Sequence, residues 1–209
     1  MLFALGCLLS YLLGGIPFAL VLVRLVQGID VRTVGSGNVG ATNASRAFGP
    51  RLRLPVFVLI YLLDFGKGLV PALLGPALFG GGVGAPVWFG ACAVLGHCAS
   101  PYLGLRGGKG VATTTGVVAA IEWQALLIGL LVFLAVFGLT RRVFLGSLAL
   151  GLALAAAIVL RDPATAFGAR LSHSLFGIVV AVFLFWTHRS NLRGLAASRG
   201  EGGPQGVRS

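Results

Sequence analysis

Long apolar runs with almost no acidic residue in them leave this chain a single class of fold. Residues 2–26, 54–79, 84–103, 143–160 and 172–188 each read as a membrane span, a helix needing about 20 apolar residues to cross the hydrocarbon core. The rest of the chain cannot make a water-exposed surface. Charged residues are 10% of the sequence and hydrophobic ones 57%, with a mean hydropathy of +0.97, whereas soluble domains carry about 25% charged residues. The chain reads as an all-α integral membrane protein. Residues 1–195 form one membrane-embedded domain, and 196–209 turn to Gly, Ser and charge, the makeup of a disordered cytoplasmic tail.

Residues 110–139 are either one long helix or two shorter ones broken at Glu122-Trp123-Gln124, and the basic residues decide. With the break there are seven spans. Arg24, Arg32, Arg46, Arg51, Arg53, Arg106, Lys109, Arg141, Arg142, Arg189, Arg193, Arg199 and Arg208 then share one side, with Arg161 and Arg170 opposite and Lys67 inside a span. Six spans would divide the same charges far more evenly. Cytoplasmic segments are enriched in Lys and Arg, so the expectation is seven transmembrane helices, N-terminus outside and C-terminus cytoplasmic. The fourth span is short in this layout. Arg24, the first charge, follows the first apolar run, which argues against a cleaved signal peptide.

The net charge of +11 fits anionic lipid, anionic substrate or topology, and the hydrophobicity argues against nucleic acid. Cys7, Cys92 and Cys98 lack metal-ligand spacing and read as small core residues. No internal repeat of the kind that builds many transporters is visible.

Three polar islands interrupt the apolar pattern, and the seven-span layout puts all of them in the cytoplasm. The first runs from Gly35 to Arg46. Its Gly35, Gly37 and Gly40 spell G-x-G-x-x-G, but no strand precedes them, so the dinucleotide fingerprint fails. Ser36 and Asn38 are candidate helix caps, exposing amides that suit an anion. Asn38, Thr42 and Arg46 recur every fourth residue, as on one helical face. An ordinary loop with a snorkelling Arg is the bland alternative.

The second island runs from Gly96-His97 to Thr113. Gly107-Gly108-Lys109-Gly110 ahead of a helix offers unhindered amides and a cation, the ingredients of a phosphate nest. Close helix packing by small residues is the alternative, and would also account for Gly96, Gly104 and Gly116. His97 is a candidate cap for its span. The chain writes fourteen Arg and two Lys, Lys67 and Lys109, each between glycines. A compact ammonium there suggests point contact with phosphate. Lys67, with Asp64 one turn earlier, reads instead as half of an intramembrane ion pair. The third island is His188 to Arg193, where His188 and Asn191 lie three apart; His188 is either structural or catalytic. No carboxylate pair lies in the islands, so two-metal chemistry and carboxylate acid/base pairs have no residues to use, and the His-x4-Asp dyad of other acyltransferases is absent.

These islands resemble the three motifs of the PlsY family, acyl-phosphate:glycerol-3-phosphate acyltransferases of bacterial membranes. Ser36 to Arg46 matches S-G-N-x-G-A-T-N-x-x-R throughout, and Gly96-His97 with Gly107 to Thr113 matches the second motif. Asp64 with Lys67-Gly68 is similar to D-x-x-K-G. The third motif departs at Ser190, where the family has Glu. The resemblance implies acyl transfer from acyl phosphate to the 1-hydroxyl of glycerol 3-phosphate, at a cytoplasmic face of the inner membrane, fed by an upstream enzyme that makes acyl phosphate. It implies no metal or cofactor, since the mixed anhydride carries a good leaving group and cations suffice to stabilise it. Lys109 with Gly107, Gly108 and Gly110 would bind the phosphate of glycerol 3-phosphate. Ser36, Asn38 and Arg46, with Thr42 and Asn43 of the same motif, would hold the other phosphoryl group. His188 and Asn191 would orient the hydroxyl, with His188 or a substrate phosphate taking its proton. The competing class is a transporter or channel for phosphorylated anions.

Overall fold

The computed structural model describes residues 1–200, with side chains described through residue 197. Those residues form eleven α-helices, and no strand occurs among them. The first apolar run is split into α1 (Leu2–Gly15) and α2 (Phe18–Gln27) at Ile16-Pro17. Proline lacks an amide donor and holds the residue before it out of the helical region; Ile16 has ψ 118. The single turn α3 (Ala41–Ala44) leads into the long α4 (Pro50–Phe79). Helices α5 (Ala85–Cys98) and α6 (Val111–Ile121) flank the glycine-rich loop. Then come α7 (Trp123–Thr140), α8 (Val143–Leu160), the short α9 (Pro163–Ala166), α10 (Leu171–Thr187) and α11 (Arg189–Gly200).

Four helical stretches are long and apolar enough to cross a membrane: Leu2–Gln27, Pro50–Phe79, Trp123–Thr140 and Val143–Leu160. Helix α10 and the start of α11, bent by 49°, make a fifth. The spans expected at 84–103 and from 110 are shorter as helices, with 14 residues in α5 and 11 in α6. At 1.5 Å per residue these reach about 21 and 17 Å, short of the about 30 Å hydrocarbon core. The chain leaves the helix at Ala99 to build a short turn at Pro101–Leu103 and the glycine loop.

The break in 110–139 falls at Glu122, whose φ of −151° interrupts the helix. Its carboxylate is buried and held by Arg161 and Arg170. These are the two arginines that the charge count sets apart from the rest, so the opposite end of the molecule has its own ion cluster.

Helix α4 crosses α6, α1 packs on α5, and α8 packs on both α7 and α10. Small residues bring these backbones into contact. An added Cβ at Gly68 would lie 2.0 Å from the Thr113 carbonyl oxygen, at Gly116 1.9 Å from that of Phe65, and at Gly96 2.0 Å from that of Tyr11. Gly104 is not a packing glycine: nothing approaches it, and its φ of +60° turns the chain. One apolar cluster, including Val117, Leu150, Leu154 and Leu184, joins α6, α8 and α10. A second, around Val23, Val31, Ala44 and Ile60, seats the first island against α4. Of the tail expected to be disordered from 196, residues 196–200 continue α11, and 201–209 lie outside the described residues.

Candidate functional site

The three islands meet at one end of the bundle. Lys109 Nζ donates to Asn191 Oδ1, joining the second island to the third, and the Thr187 hydroxyl donates to the Lys109 carbonyl at 3.2 Å. Ser36 and Asn38 face this pair. Together these four residues stand between two adjoining cavities, of about 570 and about 420 Å³, and line both.

The first island is shaped by Asn43, which is buried. Its Oδ1 accepts from the Ser36 amide at 2.9 Å, and its Nδ2 donates to the Val31 and Val34 carbonyls. Asn43 therefore spends its amide within the loop, as a brace, in place of the phosphate contact expected of it. Nor do Ser36 and Asn38 cap a helix: α3 starts at Ala41, its N-cap is Gly40, and no side chain caps it. Asn38 lies in the loop and Arg46 in a 3-10 turn beyond α3, so the every-fourth-residue pattern is not one helical face. Asn38, Thr42 and Arg46 nonetheless all line the smaller cavity, because the loop folds back over α4.

In the second island Lys109 and Gly110 end directly at α6, with Gly110 at φ +83°, where glycine carries no steric cost. The nest is narrower than expected. The Gly107 and Gly108 amides donate to the Cys98 and His97 carbonyls, both at 2.9 Å, so they pin the loop to the end of α5 and have no hydrogen left for a ligand. Among the described residues the Lys109 and Gly110 amides donate to no carbonyl. These two and the unpaired amides of the first turn of α6 are the donors on offer. Burial pushes the Lys109 ammonium below the ordinary lysine range, so the loop carries a charge that an anion would stabilise.

In the third island His188 is buried at the bend between α10 and α11. Its Nδ1 lies 2.9 Å from the Leu184 carbonyl oxygen, which can only accept. The proton of the neutral ring is thus on Nδ1, and Nε2 presents a lone pair. His188 lines the smaller cavity, and Ser190 lines the larger.

Lys67 pairs with Asp64 at 2.7 Å, as its spacing suggests, and also donates to the Ile16 carbonyl at 2.8 Å at the break between α1 and α2. His97 does not cap α5; it is buried beside this pair and reaches the smaller cavity.

The structure adds residues that the islands omit. Arg141 and Arg142, on the α7–α8 turn, line the smaller cavity with Lys109, as do Ser147 and the aromatic rings of Phe57, Tyr61, Phe133 and Phe144. The adjacent arginines between two spans were a readable signal. The aromatics were not, since in sequence they look like lipid-facing residues. Among the described residues the sole carboxylate lining this cavity is Asp64, already paired. The site can therefore hold anions on both sides of Lys109, and one side continues into an apolar wall.

Comparison with known proteins gives one consistent result. The family described as glycerol-3-phosphate acyltransferase matches residues 4–198. Glycerol-3-phosphate acyltransferases of Anaeromyxobacter dehalogenans (strain 2CP-1) and Pseudomonas putida (strain KT2440) are 44% and 42% identical to the chain, each covering 94% of it and 96% and 97% of their own lengths. Crystal structures of PlsY, an integral membrane glycerol 3-phosphate acyltransferase, superimpose with TM-scores of 0.82 for the glycerol 3-phosphate form and 0.81 for the lysophosphatidic acid form. They are 36% and 34% identical to this chain, each covering 94% of it and 93% of the solved chain. With its three islands gathered at one site and relatives matched over nearly their whole length, the chain belongs to the glycerol-3-phosphate acyltransferase family.

Proposed function

We propose that this protein transfers a fatty acyl group from acyl phosphate to the 1-hydroxyl of glycerol 3-phosphate, releasing lysophosphatidic acid and phosphate. The observation that carries the reading is the pair of cavities sharing Lys109. The smaller is lined by the cations Arg46, Lys109, Arg141 and Arg142 and by four aromatic rings, which suits a phosphate with an acyl chain. The larger is lined by Arg106, Thr187, Arg189 and Ser190, which suits a small polar phosphate. Arg46, Ser36 and Asn38 hold the acyl phosphate. Lys109 and the Gly110 amide lie between the two phosphates and contact the acceptor's.

The hydroxyl oxygen attacks the acyl carbonyl carbon, the bond from that carbon to the phosphate oxygen breaks, and the departing phosphate takes up the hydroxyl proton directly or through His188 Nε2. Asn191, held by Lys109, orients the acceptor beside His188. The cations stabilise charge on the carbonyl oxygen and on the leaving phosphate, as preorganised charges placed where charge develops.

The topology we propose has seven crossings, N-terminus outside and C-terminus cytoplasmic, with residues 1–195 as one unit in the cytoplasmic membrane. Glu122 clustered with Arg161 and Arg170 supports it, since the charge count places all three on the face opposite the site. The site then opens to the cytoplasm, where an upstream enzyme delivers acyl phosphate. The test is purified protein with acyl phosphate and labelled glycerol 3-phosphate. Labelled lysophosphatidic acid should form without nucleotide or added metal. Equal turnover with acyl-CoA, or loss of activity to a chelator, would refute the donor assignment.

A further inference from the structure

We propose that His97 is a further substrate-contacting residue, a fixed hydrogen-bond donor to the phosphoryl group of the acyl substrate, set in that role by Lys67 and Asp64. The proposal rests on the reading of the smaller cavity as the acyl-phosphate site.

The Lys67 ammonium has three hydrogens and three acceptors: Asp64 Oδ1 at 2.7 Å, the Ile16 carbonyl at 2.8 Å and His97 Nδ1 at 3.1 Å. The carboxylate beside it keeps the lysine charged, and an ammonium has no lone pair to offer. His97 Nδ1 must therefore accept, which places the proton of the neutral ring on Nε2. The two site histidines are thus fixed in opposite senses. His188 Nε2 presents a lone pair, and His97 Nε2 presents a hydrogen.

That hydrogen has no acceptor among the described residues, although the side chain is 94% buried. Its outlet is the cavity, since the ring lines the same space as Lys109, Arg46 and the first residues of α6. Gly108 supplies the second observation. Its φ is not positive, so its backbone does not require glycine. An added Cβ would instead sit 2.1 Å from His97 Nε2, against the one atom of the ring with hydrogen-bonding capacity left. A phosphoryl oxygen in the cavity gives this donor its partner, with Lys67 and Asp64 acting through the ring as positioning residues.

The test compares His97→Gln, which keeps an N–H near the Nε2 position, with His97→Asn, which is too short to do so. Each is purified in detergent and assayed for the acyl-phosphate and glycerol 3-phosphate parameters separately. His97→Asn should lower kcat/KM for acyl phosphate about tenfold or more, the worth of one hydrogen bond to an anion, while KM for glycerol 3-phosphate changes little. His97→Gln should recover most of the loss. Equal loss in both variants, or none in either, overturns the proposal. If neither variant folds, wild-type protein labelled with ¹⁵N-histidine decides: the Nε2–H resonance should shift on adding a non-hydrolysable acyl phosphonate, and an unmoved resonance overturns the proposal. Wild-type protein that does not turn over acyl phosphate would sink the acyltransferase reading instead, before any variant is compared.

Discussion

Lys109→Ala tests the site at the one cation, among the described residues, that borders both cavities. The ammonium is half-buried, and its protein partner is Asn191 Oδ1, across 82 residues of sequence. Its removal strands no opposite charge; it leaves one amide oxygen at the edge of the two cavities. The cost to folding should therefore be that of a single ordinary hydrogen bond, about 0.5–1.5 kcal/mol. The cost to catalysis should be larger, because a contact to phosphate is charge-assisted and worth about 1.5–3 kcal/mol, or about ten- to 150-fold in kcat/KM. The assay is initial-rate kinetics with each substrate varied in turn, beside a thermal unfolding curve in the same detergent. Lys109→Arg should recover only part of the loss, since a planar guanidinium is wider than the ammonium that Gly108 and Gly110 admit. Asn191→Ala in the Lys109→Ala background should cost less than the two single losses added, because the residues touch. Parameters for Lys109→Ala within about twofold of wild type, on this scale under half a kcal/mol, would refute the phosphate role and leave the second island a packing motif.

Other consequences follow from single features. Because burial lowers the Lys109 pKa, KM for glycerol 3-phosphate should begin to rise below the pH at which an ordinary lysine deprotonates. Stability should move the other way, rising with pH between the depressed folded value and the unfolded 10.5, since the unfolded chain there binds more protons; Lys109→Ala should flatten both profiles. Glu122→Gln should lower the unfolding temperature by the equivalent of about 1–3 kcal/mol, because it removes the buried charge and replaces one of the two oxygens that accept from Arg161 and Arg170 with an NH2 that cannot accept, with kcat/KM unchanged at the distant site. Gly116→Ala should impair folding outright, because its Cβ would meet the backbone oxygen of Phe65 at 1.9 Å and no side chain can move aside; a well-folded variant would show that α4 and α6 separate easily. A cysteine-accessibility map should place Arg46, Lys109, Arg141 and Arg193 in the cytoplasm and Arg161 outside, and Arg141 outside would end the seven-crossing topology.

The sequence by itself determined the helical membrane class, the break at Glu122, the Asp64–Lys67 pair and the three polar islands. Each of these rests on local physics: apolar length against bilayer thickness, a charge too costly for lipid to leave unpaired, glycines beside a cation. What it did not determine is how each polar atom is spent. Gly107 and Gly108 look like ligand donors until the end of α5 is seen to take their amides. Asn43 looks like a phosphate contact until the Ser36, Val31 and Val34 backbones are seen to claim it. Asn38, Thr42 and Arg46 do converge, by a loop folded over α4 and not by helical period. The tautomers of His97 and His188 were likewise out of reach, because a ring's proton is set by the neighbours its two nitrogens find. Those neighbours, Lys67 thirty residues away and the Leu184 carbonyl, are a property of packing. A hydrogen-bonding group has few partners and takes those that folding brings near. Residue type therefore reveals what chemistry a chain can do, and tertiary contact decides which atoms remain to do it.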